Sequence, residues 1–237
     1  MSKDELQIVE LDSIDCRLDP RPWSFAEENR DAIGAHWRRV LMNKPASFNG
    51  QILLQHRWEI VGRRFTGAYL MTDYASFLAW RDFGHPGSPK WNCFSMAALQ
   101  AQDGAFLLGE MAEHTSNAGM IYFAAGTPDP SDLAGDAVDL AASVLREMEE
   151  ETGLAPADVT IAEGWTAVIH GPRIAMMRRV RSSLQALDLK GKIETFLASE
   201  PHAELSRMHI VARPSDIRPE QMPLFQRAYL EHRLALV

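Results

Sequence analysis

The chain has 237 residues, enough for one large domain or two smaller ones with a sizeable core. Apolar residues make up 46% and charged residues 24%, as in ordinary globular proteins, and no apolar run reaches the ~18–20 residues of a membrane span. The net charge of −8 argues against a general nucleic-acid binder, because such proteins neutralise phosphates with a basic face. A small phosphorylated ligand is compatible with this charge, since bound metal ions can supply positive charge locally.

Two cysteines, Cys16 and Cys93, are too few for a disulfide framework and fit a reducing compartment. The first residues, Met1 to Leu6, are polar and lack the apolar stretch of a secretory signal. We therefore expect a cytoplasmic protein that has no membrane partner.

The N-terminal part of the chain predicts a long helix followed by short strands. The residues from Ser24 to Glu27 have the S-x-x-E spacing of a capping box, and the helix should end at about Asn43, before a proline. Strands are expected at 52–56 and 58–61, and a second helix at 72–81.

The segment 84–89 is rich in Gly and Pro and is the best candidate for a domain boundary. We expect an N-terminal α/β extension or subdomain over 1–88 and a second domain over 89–237. The second domain should begin with a hairpin, whose strands at 93–101 and 105–108 flank an Asp-Gly tip. Further strands are expected at 120–125, 165–170, 174–180 and 208–212, and helices at 140–152, 193–199 and 224–234. Hairpins with intervening helices predict a mixed α/β (α+β) fold rather than regular βαβ alternation.

The helix expected at 140–152 carries three glutamates on one arc. Glu147, Glu150 and Glu151 are spaced i, i+3 and i+4, so at ~100° per residue they lie together beside the apolar face that packs on a sheet. Like charges at this spacing raise one another's pKa, and a divalent cation removes that penalty. The alternative is a solvated acidic helix face, which is the commoner explanation of an acidic run.

The residues from Arg146 to Leu154 resemble the second half of the Nudix box, R-E-U-x-E-E-x-G-U with U aliphatic, at every specified position. The resemblance extends from about Cys93 to Leu154, is looser towards the C-terminus and leaves the segment 1–88 unexplained. It implies a Nudix fold, in which a mixed β-sheet lies between helices, here with an additional N-terminal α/β segment. It also implies an enzyme, a Mg²⁺-dependent hydrolase that cleaves a diphosphate bond in a small-molecule nucleotide substrate.

The first half of the motif departs from the family pattern. Counting back from Arg146, the family's glutamate falls on Val138 and its first glycine on Asp132. Gly126, which follows an expected strand as the family's glycine does, lies further from Arg146 than the pattern allows. We interpret the difference as a loop insertion within 127–136, which is rich in Pro, Asp and Gly.

The resemblance implies a role for each residue of the motif. Glu147, Glu150 and Glu151 would coordinate Mg²⁺, for which Mn²⁺ is the expected substitute, with Glu147 and Glu151 as the primary ligands. Arg146 would hold the carboxylates in place, and the carbonyl of Gly126 would be a further ligand.

The family often takes its general base, or another metal ligand, from a glutamate outside the motif. Glu194, Glu200 and Glu204 are candidates, and we favour the segment 199–205 and with it Glu204. The alternative for each of them is an ordinary surface glutamate.

For substrate binding the sequence offers His114 and a basic cluster that consists of Arg173, Arg178, Arg179 and Arg181. Alternate positions of a strand share a face, so Arg179 and Arg181 are expected to hold a phosphate or ribose. A solvated strand edge explains these arginines equally well, and a structural role is the alternative for His114.

The motif identifies the chemistry and leaves the substrate open. Nudix enzymes cleave nucleoside diphosphates linked to another moiety, and the aromatic-rich N-terminal segment weakly resembles the branch of UDP-sugar hydrolases. The alternative is a catalytically silent Nudix-fold protein that binds or senses nucleotides. Removal of 5′-diphosphate from RNA fits the acidic chain least well. The oligomeric state is open, and the family resemblance allows a homodimer.

Overall fold

The computed structural model describes residues 5–45, 47–115 and 117–235. Within these ranges the chain forms two mixed β-sheets and six α-helices, which confirms the predicted mixed α/β class. The strands are β1 (Gln7–Leu11), β2 (Ser13–Leu18), β3 (Gln51–Val61), β4 (Arg64–Asp73), β5 (Asn92–Gln100), β6 (Phe106–Met111), β7 (Ile121–Tyr122), β8 (Ala125–Gly126), β9 (Leu133–Ala134), β10 (Ala137–Val138), β11 (Val159–Ile161), β12 (Trp165–His170), β13 (Arg173–Ser182) and β14 (Leu205–Val211). The helices are α1 (Ser24–Glu28), α2 (Arg30–Asn43), α3 (Tyr74–Asp82), α4 (Leu140–Thr152), α5 (Ala186–Ser199) and α6 (Leu224–Leu234). Over the same ranges, none of the helices has the length and hydropathy that a membrane-spanning segment needs.

The main sheet has nine strands, six of which follow the order β1-β12-β13-β5-β6-β14. Strands β13 and β5 run parallel, with Arg173 opposite Asn92, and their neighbours along this path are antiparallel. Apolar side chains of α4 and α5 pack on one face, and those of α6 pack on the other. Because both faces are covered, residues 174–177 of β13 are all apolar, with Ile174 facing α4 and α5 and Ala175 facing α6. The expected mixed sheet between helices is therefore confirmed.

The second sheet has five strands in the order β3-β4-β2-β10-β9. Its outer face carries Leu70, which packs in one cluster with Phe25 of α1 and Trp80 of α3. Its inner face carries Phe65 and Tyr69, which belong to the core that α4 and α5 share with the main sheet. The second sheet thus lies between the N-terminal helices and the central core.

Strands from both sides of residue 88 occur in each sheet. In the main sheet, β1 pairs with β12 from Gln7 opposite Ile169 to Leu11 opposite Trp165. In the second sheet, β10 pairs with β2. The division into 1–88 and 89–237 stays a prediction about folding units, and the hydrogen bonding of the sheets runs across it.

The segment 127–136, expected as an inserted loop, is only partly a loop. Pro130–Asp132 forms a 3₁₀ turn, and β9 and β10 form a short hairpin. This hairpin extends the second sheet, since Ala137 pairs with Arg17, whose Nη1 lies 3.0 Å from Oδ1 of Asp136. The expectation was wrong here because the partner strand β2 is far away in sequence, with 119 positions between Arg17 and Asp136.

The predicted N-terminal helix is divided in two and is not capped as expected. Trp23 rather than Ser24 occupies the N-cap position, where no side chain caps the helix. The interruption falls at Asn29, whose Nδ2 donates a hydrogen bond to the carbonyl of Phe25 at 2.9 Å. The end of α2 at Asn43 is as predicted.

Two other expectations about strands were wrong in detail. The strands expected at 52–56 and 58–61 are one strand, β3, with a bulge between Gln55 and Arg57. The strand expected at 120–125 consists of two shorter pieces, β7 and β8.

Candidate active site

Helix α4 carries the acidic cluster and has well-defined ends. Oδ1 of Asp139, the N-cap residue, accepts hydrogen bonds from the amides of Ala141 at 3.0 Å and Ala142 at 2.9 Å. At the other end, Gly153 adopts the left-handed conformation with a φ of 68°, which ends the helix as predicted. Met148 is fully buried in the core between these ends, so the arc with the three glutamates is fixed beside the main sheet.

Glu151 is the most deeply buried of the three glutamates, with 7% of its surface exposed. Its Oε1 accepts a hydrogen bond from the backbone amide of Ala125, in strand β8, at 3.0 Å. Burial raises the pKa of Glu151 well above its usual value, although the Ala125 amide favours the charged form. The carboxylates of Glu147, Glu204 and Glu150 raise this pKa further.

Glu147 lies one turn earlier, and its side chain is 14% exposed. Burial raises its pKa to about 7, even though Nη1 of Arg146 lies 2.9 Å from its Oε1. The side chain of Glu150 is 59% exposed, with Oε2 at 3.3 Å from the same Arg146 nitrogen. Of the three glutamates, Glu151 is buried, Glu147 is partly buried and Glu150 is exposed.

Asp132 anchors Arg146 from the opposite side. Nη2 of Arg146 donates a hydrogen bond to Oδ1 of Asp132 at 3.0 Å, and the other oxygen of this buried carboxylate accepts from the amide of Asp129 at 3.0 Å. The pKa of Arg146 is raised because these hydrogen bonds and charges outweigh the effect of burial. Sequence reasoning did not assign a role to Asp132, although it occupies the position where counting back from Arg146 placed the family's first glycine.

Gly126 lies directly against the acidic cluster. A Cβ atom at this position would overlap the carboxylate of Glu147, so only glycine leaves room for that side chain. Gly126 pairs with Ser95 of β5, which fixes its backbone beside the end of α4. The structure therefore brings Gly126 to the place where the sequence predicted a further ligand.

Of the three glutamates proposed outside the motif, Glu204 lies near the cluster. Its charge raises the pKa of both Glu147 and Glu151. Glu194 is paired with Lys190 and accepts a hydrogen bond from the amide of Met208 at 3.0 Å. Glu200 is an exposed residue that ends α5.

In the described parts of the chain, no three side chains of His, Cys, Asp or Glu stand close enough to form a complete metal site as they are. The donor chemistry nevertheless fits Mg²⁺, which takes carboxylate oxygens and keeps several water ligands. The partly buried Glu147 and the buried Glu151 are carboxylates with raised pKa values, and a bound cation would reverse the cost of charging them.

A cleft of about 420 Å³ opens at Glu151 and Gly126. The other residues of its wall come from strands of the main sheet and the loops beside them, from α3 and from the start of α6. Its lining comprises Tyr74, Phe77, Arg81, Asn92, Phe94, Met96, Met111, Asn117, Met120, Tyr122, Phe123, Ala125, Gly126, Thr127, Glu151, Arg173, Pro223 and Phe225. The acidic cluster is thus at the edge of a space in which a small molecule fits.

The structure places the expected substrate-binding residues away from the lining of this cleft. Arg179 and Arg181 lie further along β13 than Arg173, which does line the cleft; eight residues of extended strand separate Arg173 from Arg181, roughly 26 Å. His114 is exposed in the turn after β6. The binding of substrate by these residues stays a prediction. The cleft is lined instead by two other arginines, Arg173 and Arg81. The sequence indicated Arg173 as part of the basic cluster and gave no role to Arg81.

No family model and no curated protein matches the sequence. Several solved structures are similar to part of the chain at low identity. A Nudix hydrolase from M. smegmatis, RenU, is 13% identical over 61% of this chain and 83% of that chain, with a TM-score of 0.39. The MutT protein from Methanosarcina mazei Go1 is 18% identical over 61% and 93%, with a TM-score of 0.38, and the E. coli ORF135 protein is 19% identical over 62% and 91%, with a TM-score of 0.37. Similarity at such low identity and TM-score does not show an activity for this chain, which has to be argued from the residues of its site.

Proposed function

We propose that the protein is a Mg²⁺-dependent hydrolase of the Nudix type that cleaves the diphosphate linkage between a nucleoside and another moiety, with nucleotide sugars among the candidate substrates. The observation that carries the proposal is that the buried Glu151, which lines an open cleft, has beside it Glu147, whose side chain is only 14% exposed. Burying neighbouring carboxylates is costly unless positive charge compensates them. The resemblance of the residues from Arg146 to Leu154 to the Nudix box indicates which ion does so.

Each side chain of the site has its own proposed role. Glu147 and Glu151 are the proposed primary ligands of the ion, with Glu150 and the carbonyl of Gly126 as further ligands and Mn²⁺ as the substitute metal. When bound, Mg²⁺ activates a water for attack at phosphorus and neutralises charge on the departing phosphate. Arg146 is a positioning residue for Glu147 and Glu150, since it contacts both.

Glu204 is the proposed general base. It is an exposed carboxylate whose charge acts on Glu147 and Glu151, which supports a role in taking a proton from the attacking water. Its exposure is consistent with exchange of that proton with solvent.

A catalytically silent nucleotide-binding protein is the second candidate. The feature that favours it is the contact between Arg146 and Glu147, 2.9 Å between Nη1 and Oε1, in which a cation already compensates a proposed metal ligand. Cytoplasmic location and assembly as a homodimer stay predictions, the first suggested by two buried free cysteines and the second by the family resemblance.

The experiment is a cleavage panel with Mg²⁺ or Mn²⁺ over nucleotide sugars, dinucleotides, coenzyme A and nucleoside triphosphates. We expect cleavage of at least one substrate class and loss of about 100-fold or more of that activity in Glu151→Gln, with thermal melting showing a folded protein. The matched control is Glu149→Gln, an exposed glutamate of the same helix, which should keep full activity.

Cleavage by the wild type that persists in Glu151→Gln would contradict the proposed site. Nucleotide binding in the presence of Mg²⁺ without cleavage of any substrate would instead support the silent protein.

A further inference from the structure

The cleft has opposite charges at its two ends. Glu151 and Gly126 lie at the acidic end, and Arg173 and Arg81 lie at the basic end. Along β5, Gly126 is opposite Ser95 and Arg173 is opposite Asn92, so three residues of extended strand, roughly 10 Å, separate the two backbone positions. A ligand that uses the whole cleft therefore meets two different electrostatic environments.

Arg173 is an exposed residue at the start of β13. Among the described residues, no carboxylate lies within salt-bridge distance of its guanidinium. A guanidinium in a cleft with no internal partner is a suitable donor for two oxygens of a phosphate or a carboxylate.

Arg81 belongs to α3, in the N-terminal segment, and Asp82 contacts one edge of its guanidinium. Its Nε lies 2.8 Å from Oδ1 of Asp82, and Oδ2 of Asp82 lies 2.9 Å from Nε2 of His36. Within the described chain, the terminal nitrogens of Arg81 have no hydrogen-bond partner. Asp82 thus orients Arg81 and leaves its donor groups available to the cleft.

The charges of Arg173 and Arg81 affect the pKa of the same two side chains, Tyr122 and His85. Burial raises the pKa of the Tyr122 hydroxyl, and the charges of Arg173 and Arg81 both oppose that rise. Both arginines likewise help to lower the pKa of His85, for which burial is the main cause. Arg173 and Arg81 both line the cleft, and their charges act on the same part of it.

Aromatic rings cover the space between the ends of the cleft. The rings of Tyr74 and Phe77, both on α3, are 6.1 Å apart, and those of Tyr122 and Phe225 are 6.3 Å apart with 31° between their planes. Phe94 meets Phe225 edge to face at 5.4 Å. Such a surface suits a planar ring, which gains from contact with aromatic side chains.

We propose that Arg81 and Arg173 form a specificity site for an anionic group of the substrate that is separate from the diphosphate to be cleaved, with the planar part of the substrate on the aromatic surface between. The preferred substrates are nucleoside diphosphate derivatives that carry an additional phosphate or carboxylate. The inference rests on the proposed function for the position of the diphosphate. It gives the N-terminal segment a role, because α3 supplies half of the site.

The test compares pairs of compounds that differ in one distal charge: coenzyme A with 3′-dephospho-coenzyme A, and UDP-glucuronate with UDP-glucose. Binding is measured by calorimetry with the Glu204→Gln variant and Mg²⁺, which lacks the proposed general base and keeps the proposed metal ligands, so that binding can be read without turnover. We expect the acidic member of at least one pair to bind about 10–100-fold more tightly. The phosphate pair and the carboxylate pair show which of the two anions the site takes.

Arg81→Met and Arg173→Met, each in the Glu204→Gln background, should lose most of that preference. Arg39→Met is the matched control, since Arg39 is an exposed arginine of α2 outside the cleft lining and should keep the preference. Thermal melting confirms that each variant is folded.

Equal binding of both members of both pairs by the parent protein would overturn the proposal. So would an equal loss for acidic and neutral members in the arginine variants, because that result would place the arginines on the diphosphate itself. A clear preference in a wild-type protein that cleaves no substrate of the full panel would defeat the proposed function and leave the anion site in place.

Discussion

Arg146 is shared by three carboxylates, and this sharing explains how the acidic turn is tolerated. One terminal nitrogen contacts Glu147 and Glu150, and the other contacts the buried Asp132. Because Asp132 is itself fixed by the amide of Asp129, the guanidinium has little freedom to turn away. The cluster therefore includes one permanent positive charge whose position is set from outside α4.

At the same scale, Gly126 offers a direct test of the site. In Gly126→Ala the new methyl group would overlap the Glu147 carboxylate and push it from its place. We expect turnover and Mg²⁺ affinity to fall by about 10–100-fold while the melting temperature changes little. The measurements are the rate of cleavage and calorimetric titration with Mg²⁺.

Gly34→Ala is the matched control, because Gly34 lies in helix α2 with nothing within 4 Å of its added Cβ. It should keep full activity and be slightly more stable. Unchanged activity and Mg²⁺ affinity in Gly126→Ala would show that the Glu147 carboxylate is not needed where it stands.

At the scale of elements, α4 has local signals at both ends. Asp139 caps its first turn and Gly153 supplies the left-handed residue that ends it. These signals act within a few residues, so α4 holds the last two turns with their glutamates in a defined orientation.

The cap can be tested by Asp139→Ala. Removing the carboxylate leaves the amides of Ala141 and Ala142 without their acceptor, and we expect the free energy of unfolding to fall by about 1 kcal/mol. Urea denaturation measures the change. Glu149→Ala, an exposed substitution in the same helix, should change the free energy of unfolding by much less, and an equal effect of both would contradict the capping role.

Features that depend on residues close together in the sequence were predicted correctly, whereas features that depend on distant partners were not. The bounds of α4, α6 and β12 are as predicted, because each has a clear periodicity and local end signals. The acidic arc and Gly126 also come together as expected. The hairpin β9–β10, the break at Asn29 and the anchoring by Asp132 were not predicted, since each depends on partners that only the folded chain brings into contact.

At the scale of the whole molecule, the two sheets share one core. Leu11 of β1, Phe65 and Tyr69 of β4 are fully buried in the same cluster as residues of α4 and the main sheet. Removing the N-terminal segment would expose this surface and leave β12 without β1, one of its two neighbours in the sheet. Burial of each of these large side chains stabilises the fold by about 1.5–3 kcal/mol.

We therefore expect the fragment 89–237 not to fold by itself. Circular dichroism during heating should show a cooperative transition for the full chain and none for the fragment, and amide hydrogen exchange in the fragment should be fast throughout. A fragment that melts cooperatively near the temperature of the full chain would establish residue 88 as a boundary between independent folding units.

The hairpin β9–β10 has a consequence for engineering. Its strands complete a sheet built from the beginning of the chain, while the turn before it supplies the carboxylate that holds Arg146. A chimera that exchanges the N-terminal segment for that of a similar protein must therefore transplant the hairpin as well, or the exchange will remove contacts that hold α4 in place.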